Sequence, residues 1–394
     1  MFSYSLSDNN IDILATDLET AYLDNAATTP PCPEAIAAMA NALQANWGNP
    51  SSPHAYGHRA SLLLEQAREN VARALKCKDE EICFTSGGTQ SNNMALIGGA
   101  RAMKRRGNRI VTSAIEHSSV YETVKALEKE GFETVFVRPD SFGRVKIEDI
   151  EAAVNDRTVL VSLMTVNNET GARQPVEKIR SIVKFAKSPA LIHTDAVQAF
   201  GKIPLSPDLL SADLISISAH KIHGPKGVGA LYVKKGVRIE PISFGGSQES
   251  KLRPGTEPLP AITGFAAAVQ ALPNLIGEAD RQNELRSYLL KALEDFEGLK
   301  INSPEDAYPG IINISYTGYL SDHIINHLSG LGVFVSGASA CSKGKKSRVL
   351  TQMRLAEDRI NSAVRISFSR FTEKEDIDRL VEGLKSVRQN VQKI

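Results

Sequence analysis

Between Glu81 and Val233 the chain alternates short runs rich in β-branched residues with stretches of helical spacing, a rhythm that few folds accommodate. The runs are Ile82 to Thr85, Arg109 to Thr112, Thr134 to Val137, Thr158 to Met164, Leu191 to Thr194, Leu214 to Ser218 and Ala230 to Val233. Helical patterns lie between them at Ser118 to Glu130, at Val176 to Lys187 and after Gly88. Near-continuous apolar strands need cover on both faces, so the pattern predicts an α/β domain with a mostly parallel sheet flanked by helices. Ligands in such sheets bind beyond the carboxyl ends of the strands, and Thr85, Thr194 and Ser218 stand at such ends.

The rhythm changes after about Ile262. Helical patterns at Ile262 to Ala271 and Gly277 to Phe296 lead into strands at Ile311 to Tyr316, Val333 to Val335 and Val364 to Phe368, with a helix at Ser321 to Ser329. A last helix carries a capping box at Thr372 and Glu375 and a buried stripe of Ile377, Leu380, Val381, Leu384 and Val387. The expected division is a large α/β domain over 21–261 and a smaller α+β domain over 262–394, with residues 1–20 as an arm that docks. Ahead of the rhythm stand a short strand and turn at Ala21 to Pro30 and an Ala-rich helix at Glu34 to Ala45. A loop at Trp47 to His58 and an amphipathic helix from Ala60 follow.

At 394 residues, with 42% hydrophobic and 23% charged residues, the chain has the make-up of a soluble globular enzyme. A net charge of +1 gives no global reason to expect nucleic acid or an anionic membrane as partner. No Lys or Arg precedes Arg59 and no apolar run approaches the length of a bilayer span, so a cytoplasmic protein is expected. Cys32, Cys77, Cys83 and Cys341 are too few and too irregular for a disulfide framework or a zinc site, and no metal is expected.

The stretch DLISISAHKIHGPKGVGALYV, Asp213 to Val233, puts Lys221 just past a strand in a connection bracketed by Gly and Pro. Ser218, His220, His223 and Lys226 surround it, while Gly224 and Gly227 admit close backbone approach. An amine among imidazoles and another cation has its protonated form disfavoured, the setting of a Schiff-base lysine. A solvated loop reads equally well from this stretch alone. The spacing of a P-loop is absent.

FTSGGTQSNN, Phe84 to Asn93, joins a strand to a helix, and its amides and hydroxyls suit an anion; the plainer reading is a glycine-rich connection with a Thr N-cap. Asp195 ends a strand and opens a short helix containing Gln198, which makes it either an N-cap or a partner for a pyridinium nitrogen. Glu116 and His117 follow another strand, and VNNETGARQ, Val166 to Gln174, ends a third with two asparagines, fit for a ligand oxygen or for a polar turn. Arg365 either clamps a carboxylate or faces outward on an alternating strand. Cys341 stands among Lys343, Lys345, Lys346 and Arg348, cations that favour a thiolate. Cys83 reads as an inert core cysteine and Cys32 as incidental, with Cys77 exposed enough to oxidise.

In order, YLDNAATTP, NPSSPHAYG, FTSGGTQSNN, EHSSV, VNNETGARQP, HTDAVQAFGK, SAHKIHGPKG, RPGTE, SGASACS and VRISFSR resemble the cysteine desulfurase family, in the class V aminotransferase branch of fold-type I pyridoxal phosphate enzymes. The likeness runs from about Tyr22 to about Ile377. It implies that Lys221 binds pyridoxal 5'-phosphate and moves the proton at the substrate Cα, that Asp195 pairs with the pyridine nitrogen and that His117 stacks on the ring. It gives Gln198 to the ring oxygen, and Gly88, Thr89, Ser218 and His220 to the phosphate, with Thr256 completing that site from the second subunit of a homodimer. Asn168 and Arg365 would bind the carboxylate of L-cysteine, and Cys341 would take its sulfur as a persulfide, releasing alanine. The implied partner is a protein sulfur acceptor or iron-sulfur scaffold. Related lyases acting on selenocysteine or cysteine sulfinate, an aminotransferase, and a non-catalytic scaffold of the same fold are the alternatives. Two departures stand out: Gln90 replaces the acidic residue usual after the phosphate threonine, and the segment after Cys341 is shorter and more basic than is common in the family.

Overall fold

A computed structural model describes residues 20–337 and 346–393. Its centre is a seven-stranded sheet in the spatial order Ile82–Thr85, Gly229–Val233, Leu214–Ser218, Leu191–Asp195, Thr158–Ser162, Arg109–Ser113, Glu133–Val137. Six strands run parallel, and Gly229–Val233 runs antiparallel to both of its neighbours. The antiparallel strand follows from the short connection after Ser218, because a parallel return needs a crossover of a dozen or more residues. The central strands Thr158–Ser162 and Leu214–Ser218 are buried along their whole length, as a sheet covered on both faces requires.

Helices Pro33–Ala45, Ala55–Leu75 and Leu259–Gln270 pack together on one flank. Leu259, Ile262, Phe265, Ala266 and Val269 of the last belong to the large core, although the repeat of strand and helix has ended by that point in the chain. At these spacings they line one face of the helix. The long helix opens on Ala55 rather than Ala60, because His54 caps it through a bond accepted from Gly57 N.

A second core gathers around a four-stranded antiparallel sheet in the order Ser336–Gly337, Ala363–Ser367, Ile311–Tyr316, Leu299–Ile301. Helices Leu275–Ala292, Ser321–Gly330 and Lys374–Asn390 cover it, the last with the expected stripe of Ile377, Leu380, Val381, Leu384 and Val387. Its capping box is formed by Glu373 and Asp376, one position from the expected Thr372 and Glu375. Thr372 Oγ1 accepts from Ser369 N and closes the turn ahead of the helix. Ala21 and Leu23, far away in sequence, also lie in this core, through parallel pairing of Ala21–Tyr22 with Val333–Phe334. The chain therefore passes from the small core into the large one through the turn at residues 23–29.

Candidate active site

The strand Ile82–Thr85 ends in a turn at Gly87, whose φ of 139° lies in a region that favours glycine. Helix Gly88–Asn93 begins there without a side-chain cap, so Thr89 sits exposed in its first turn and is not the cap. A side chain at Gly88 would stand 2.7 Å from Val197 Cγ2, which keeps the cradle open to backbone amides. Ser218 Oγ is buried beside this turn with no hydrogen-bond partner among the described residues. A buried hydroxyl next to free helix amides fits a phosphate. Gln90 Oε1 accepts from Ser86 N at 2.7 Å, a turn-closing bond that an uncharged amide makes as well as a carboxylate.

After Ser218 a 3-10 turn, Ala219–Lys221, aims Lys221 back at the turn at residues 23–29, where Nζ donates to the carbonyls of Ala26 and Ala27, both at 2.6 Å. His220 Nδ1 lies 3.2 Å from Thr28 Oγ1, and burial, reinforced by the charges of Lys221 and Lys226, lowers its pKa to about 4. His223 turns the other way, against Pro30 O and the Phe371 ring, with its N–H on Thr29 Oγ1. It braces the turn rather than facing the cradle. Lys226 is exposed.

Asp195 is nearly fully buried at the end of its strand. Oδ1 accepts from Val197 N at 3.0 Å and Oδ2 from Asn92 Nδ2 at 2.7 Å. Successive turns, not the expected short helix, carry the chain from there past Gln198. Asn92 Nδ2 also reaches Ser119 Oγ at 2.8 Å, which lies 2.8 Å from His117 Nδ1. His117 caps helix Ser118–Glu128, accepting from Ser119 N. Burial lowers its pKa, against the pull of Asp195 and with help from Lys221 and Arg348. The described part of the site thus joins Gly88, Asp195, His117, Ser218, His220 and Lys221 around one set of strand ends.

The opposite wall comes from the small core. Arg365 is almost fully enclosed; its Nη2 pairs with Asp24 Oδ1 and donates to Ser336 Oγ, both at 2.7 Å, and its Nη1 donates to Asn168 O at 3.0 Å. It points inward, not outward. Of the two asparagines, Asn167 is fully buried and holds its own turn, Oδ1 accepting from Glu169 N and Thr170 N, which leaves Asn168 as the half-buried one. Thr256 lies exposed just past Gly255.

Cys341 and the cations Lys343 and Lys345 lie outside the described residues, as does the arm at 1–19. Just beyond that segment, Arg348 donates to the carbonyls of Ala114 and Glu116 and lies over the Tyr121 ring at 4.0 Å. Ser347 donates to Glu169, a carboxyl that burial raises to about 7. Glu116 is raised to about 8, again by burial, and its Oε2 has no partner among the described residues. Cys83 is the inert core thiol expected. Cys77, read as oxidisable, packs against the core, and burial with Glu81 and Asp79 pushes its thiol up to about 12, which suppresses the reactive thiolate.

Sequence reasoning missed Asn92, Asp24, Glu169 and Lys202. Each lay inside one of the motifs above, but a polar residue in a turn or a short helix gives no sign of a partner remote in sequence.

The model of the family "Aminotransferase class-V" matches residues 21–380. A cysteine desulfurase IscS of Dictyoglomus turgidum is 40% identical over 378 residues, 93% of this chain and 95% of that protein. A solved NifS-like protein superposes with a TM-score of 0.89 at 38% identity, over 94% of this chain and 100% of its own. A structure described as SspA in complex with cysteine superposes with a TM-score of 0.80 at 32% identity, over 90% and 100% of the two chains. With a strand-end lysine, a buried carboxylate and an open glycine turn at neighbouring strand ends, the chain belongs to the class V aminotransferase family and, within it, to the pyridoxal phosphate-dependent cysteine desulfurases.

Proposed function

We propose that this enzyme removes sulfur from L-cysteine, releases L-alanine and passes the sulfur on through a persulfide on Cys341. The observation that carries the reading is the meeting of Lys221, Asp195 and the unpartnered Ser218 hydroxyl at the strand ends, opposite an inward Arg365. Bound pyridoxal phosphate supplies an aldehyde that condenses with amines and an electron-poor ring that accepts electrons from a bond broken at the substrate Cα. Gly88, Thr89, Ser218 and His220 would hold its phosphate, Asp195 would pair with its ring nitrogen, His117 would face the ring and Gln198 would serve the ring oxygen. Lys221 moves the proton at Cα, while Arg365 and Asn168 fix the substrate carboxylate. The Cys341 thiolate attacks the substrate sulfur: an S–S bond forms as the Cβ–S bond breaks, and the electron pair stays on carbon, which takes up a proton and ends as the methyl group of alanine.

The enzyme acts as a cytoplasmic homodimer in this reading, with Thr256 reaching the partner's phosphate site. Exposed Trp47 and Tyr56, stacked at 5.2 Å, support an apolar surface covered by a second copy. The sulfur acceptor is a protein such as an iron-sulfur scaffold. The test supplies L-cysteine and measures alanine and protein-bound persulfide. Cys341→Ala should lose persulfide while keeping the cofactor's visible absorbance, and Lys221→Ala should lose turnover by about 10⁴-fold. Undiminished persulfide formation in Cys341→Ala would overturn the assignment.

A further inference from the structure

Lys202 is a part-buried amine with no role in the chemistry above. Its Nζ donates to Gln198 Oε1 at 2.8 Å, and its ammonium lies 5.9 Å from the centre of the Tyr308 ring. Gln198 is itself buried, and its Nε2 donates to Ala26 O at 2.9 Å, the carbonyl that also receives Lys221. An amide has one acceptor end and one donor end. With the ammonium on Oε1, the amide cannot turn over without setting its own N–H groups against a cation. Burial, reinforced by the two cations that bear on it, Lys221 and Arg365, brings the Lys202 pKa down to about 7.

We propose that Lys202 is a positioning residue: it locks the Gln198 amide with its nitrogen toward the cofactor's ring oxygen and polarises it, so that the donated hydrogen bond is stronger. The proposal rests on the reading of Gln198 above and adds the residue that orients it. An N–H donated to the ring oxygen favours its anionic form, and below about pH 7, where Lys202 keeps its proton, the positive charge behind the amide strengthens that effect. The loaded enzyme should therefore lose its titrating proton at a lower pH than it would without Lys202.

The experiment is a pH titration of the visible absorbance of the holoenzyme, with cofactor content measured in parallel, for wild type, Lys202→Met, Lys202→Gln, Lys202→Arg, Gln198→Ala and the double variant Lys202→Met with Gln198→Ala. Removing the charge should raise the midpoint by about half a unit or more, and Lys202→Arg should restore it. In the Gln198→Ala background the Lys202 substitution should add nothing. An unmoved midpoint in loaded Lys202→Met, or a shift that persists without Gln198, overturns the proposal. Should Lys202→Met fail to take up cofactor, Lys202→Gln against Lys202→Arg decides it: equal midpoints overturn it and a raised midpoint in Gln alone sustains it. A wild-type enzyme with no visible band would count against the functional reading instead, so the two failures are distinct.

Discussion

The two walls of the site are built in different ways. On the side proposed to hold the cofactor, Gly88, His117, Asp195 and Lys221 each stand within a few residues of the end of a strand in one sheet, so hydrogen-bonded ladders fix their positions. On the side proposed to hold the substrate, Arg365 reaches Asp24 across 341 positions of sequence and the Asn168 carbonyl across 197. That wall exists only where two cores meet. The contrast implies that damage to the first wall costs stability or chemistry, whereas damage to the second loosens substrate binding.

The largest effect that tests this contrast is expected behind the cofactor wall. Glu249 is buried and accepts from Arg68 Nη2 and Nη1 at 2.7 and 2.8 Å and from Phe84 N at 2.8 Å, just before the Gly87 turn. Glu249→Ala leaves Arg68 and Phe84 N uncompensated and should cost about 3–4 kcal/mol of unfolding free energy, read by denaturant titration. A loss below about 1 kcal/mol would erase the claim that this wall is held rigidly.

The next test is a pH dependence on the substrate side. Glu169 keeps its proton in the folded state up to about pH 7, because burial raises it from the ordinary carboxyl range. Below the ordinary range both states are protonated; as pH rises from there to about 7 only the unfolded state ionises, so native stability falls across that window and then levels off. Glu169→Gln removes that term. Its stability relative to wild type should therefore improve by up to about 3 kcal/mol between pH 5 and pH 8, and a constant difference across that range would refute the protonated state.

The smallest effect falls on Asp24. Asp24→Asn keeps the shape but removes the charge that orients Arg365, and should raise the KM for L-cysteine about tenfold with kcat changed much less. A fall in kcat with KM untouched would dissolve the distinction between the walls.

Much of the first wall was legible in sequence because it is local: strand, turn and functional residue follow one another, as in ISISAHK and IHTDAVQ. The places where expectation slipped are also local, such as the cap at Glu373 in place of Thr372 and the turns after Asp195 in place of a helix, where neighbouring polar residues compete for the same backbone groups. Cys77 was misread for another reason: its lysine neighbours suggested exposure, but helix Ala55–Leu75 turns the thiol onto the core.

The sequence by itself determined the alternation of strands and helices, hence the covered parallel sheet and the row of chemical groups at its strand ends, because periodicity and turn chemistry act over a few residues. Only the tertiary structure decided that the turn at residues 23–29 receives Lys221, Gln198 and Arg365 at once, that Lys202 stands behind Gln198, and that burial lifts Glu169 above the ordinary carboxyl range. Those outcomes depend on which buried groups meet after the two cores close, and on how far that closure removes each charge from water.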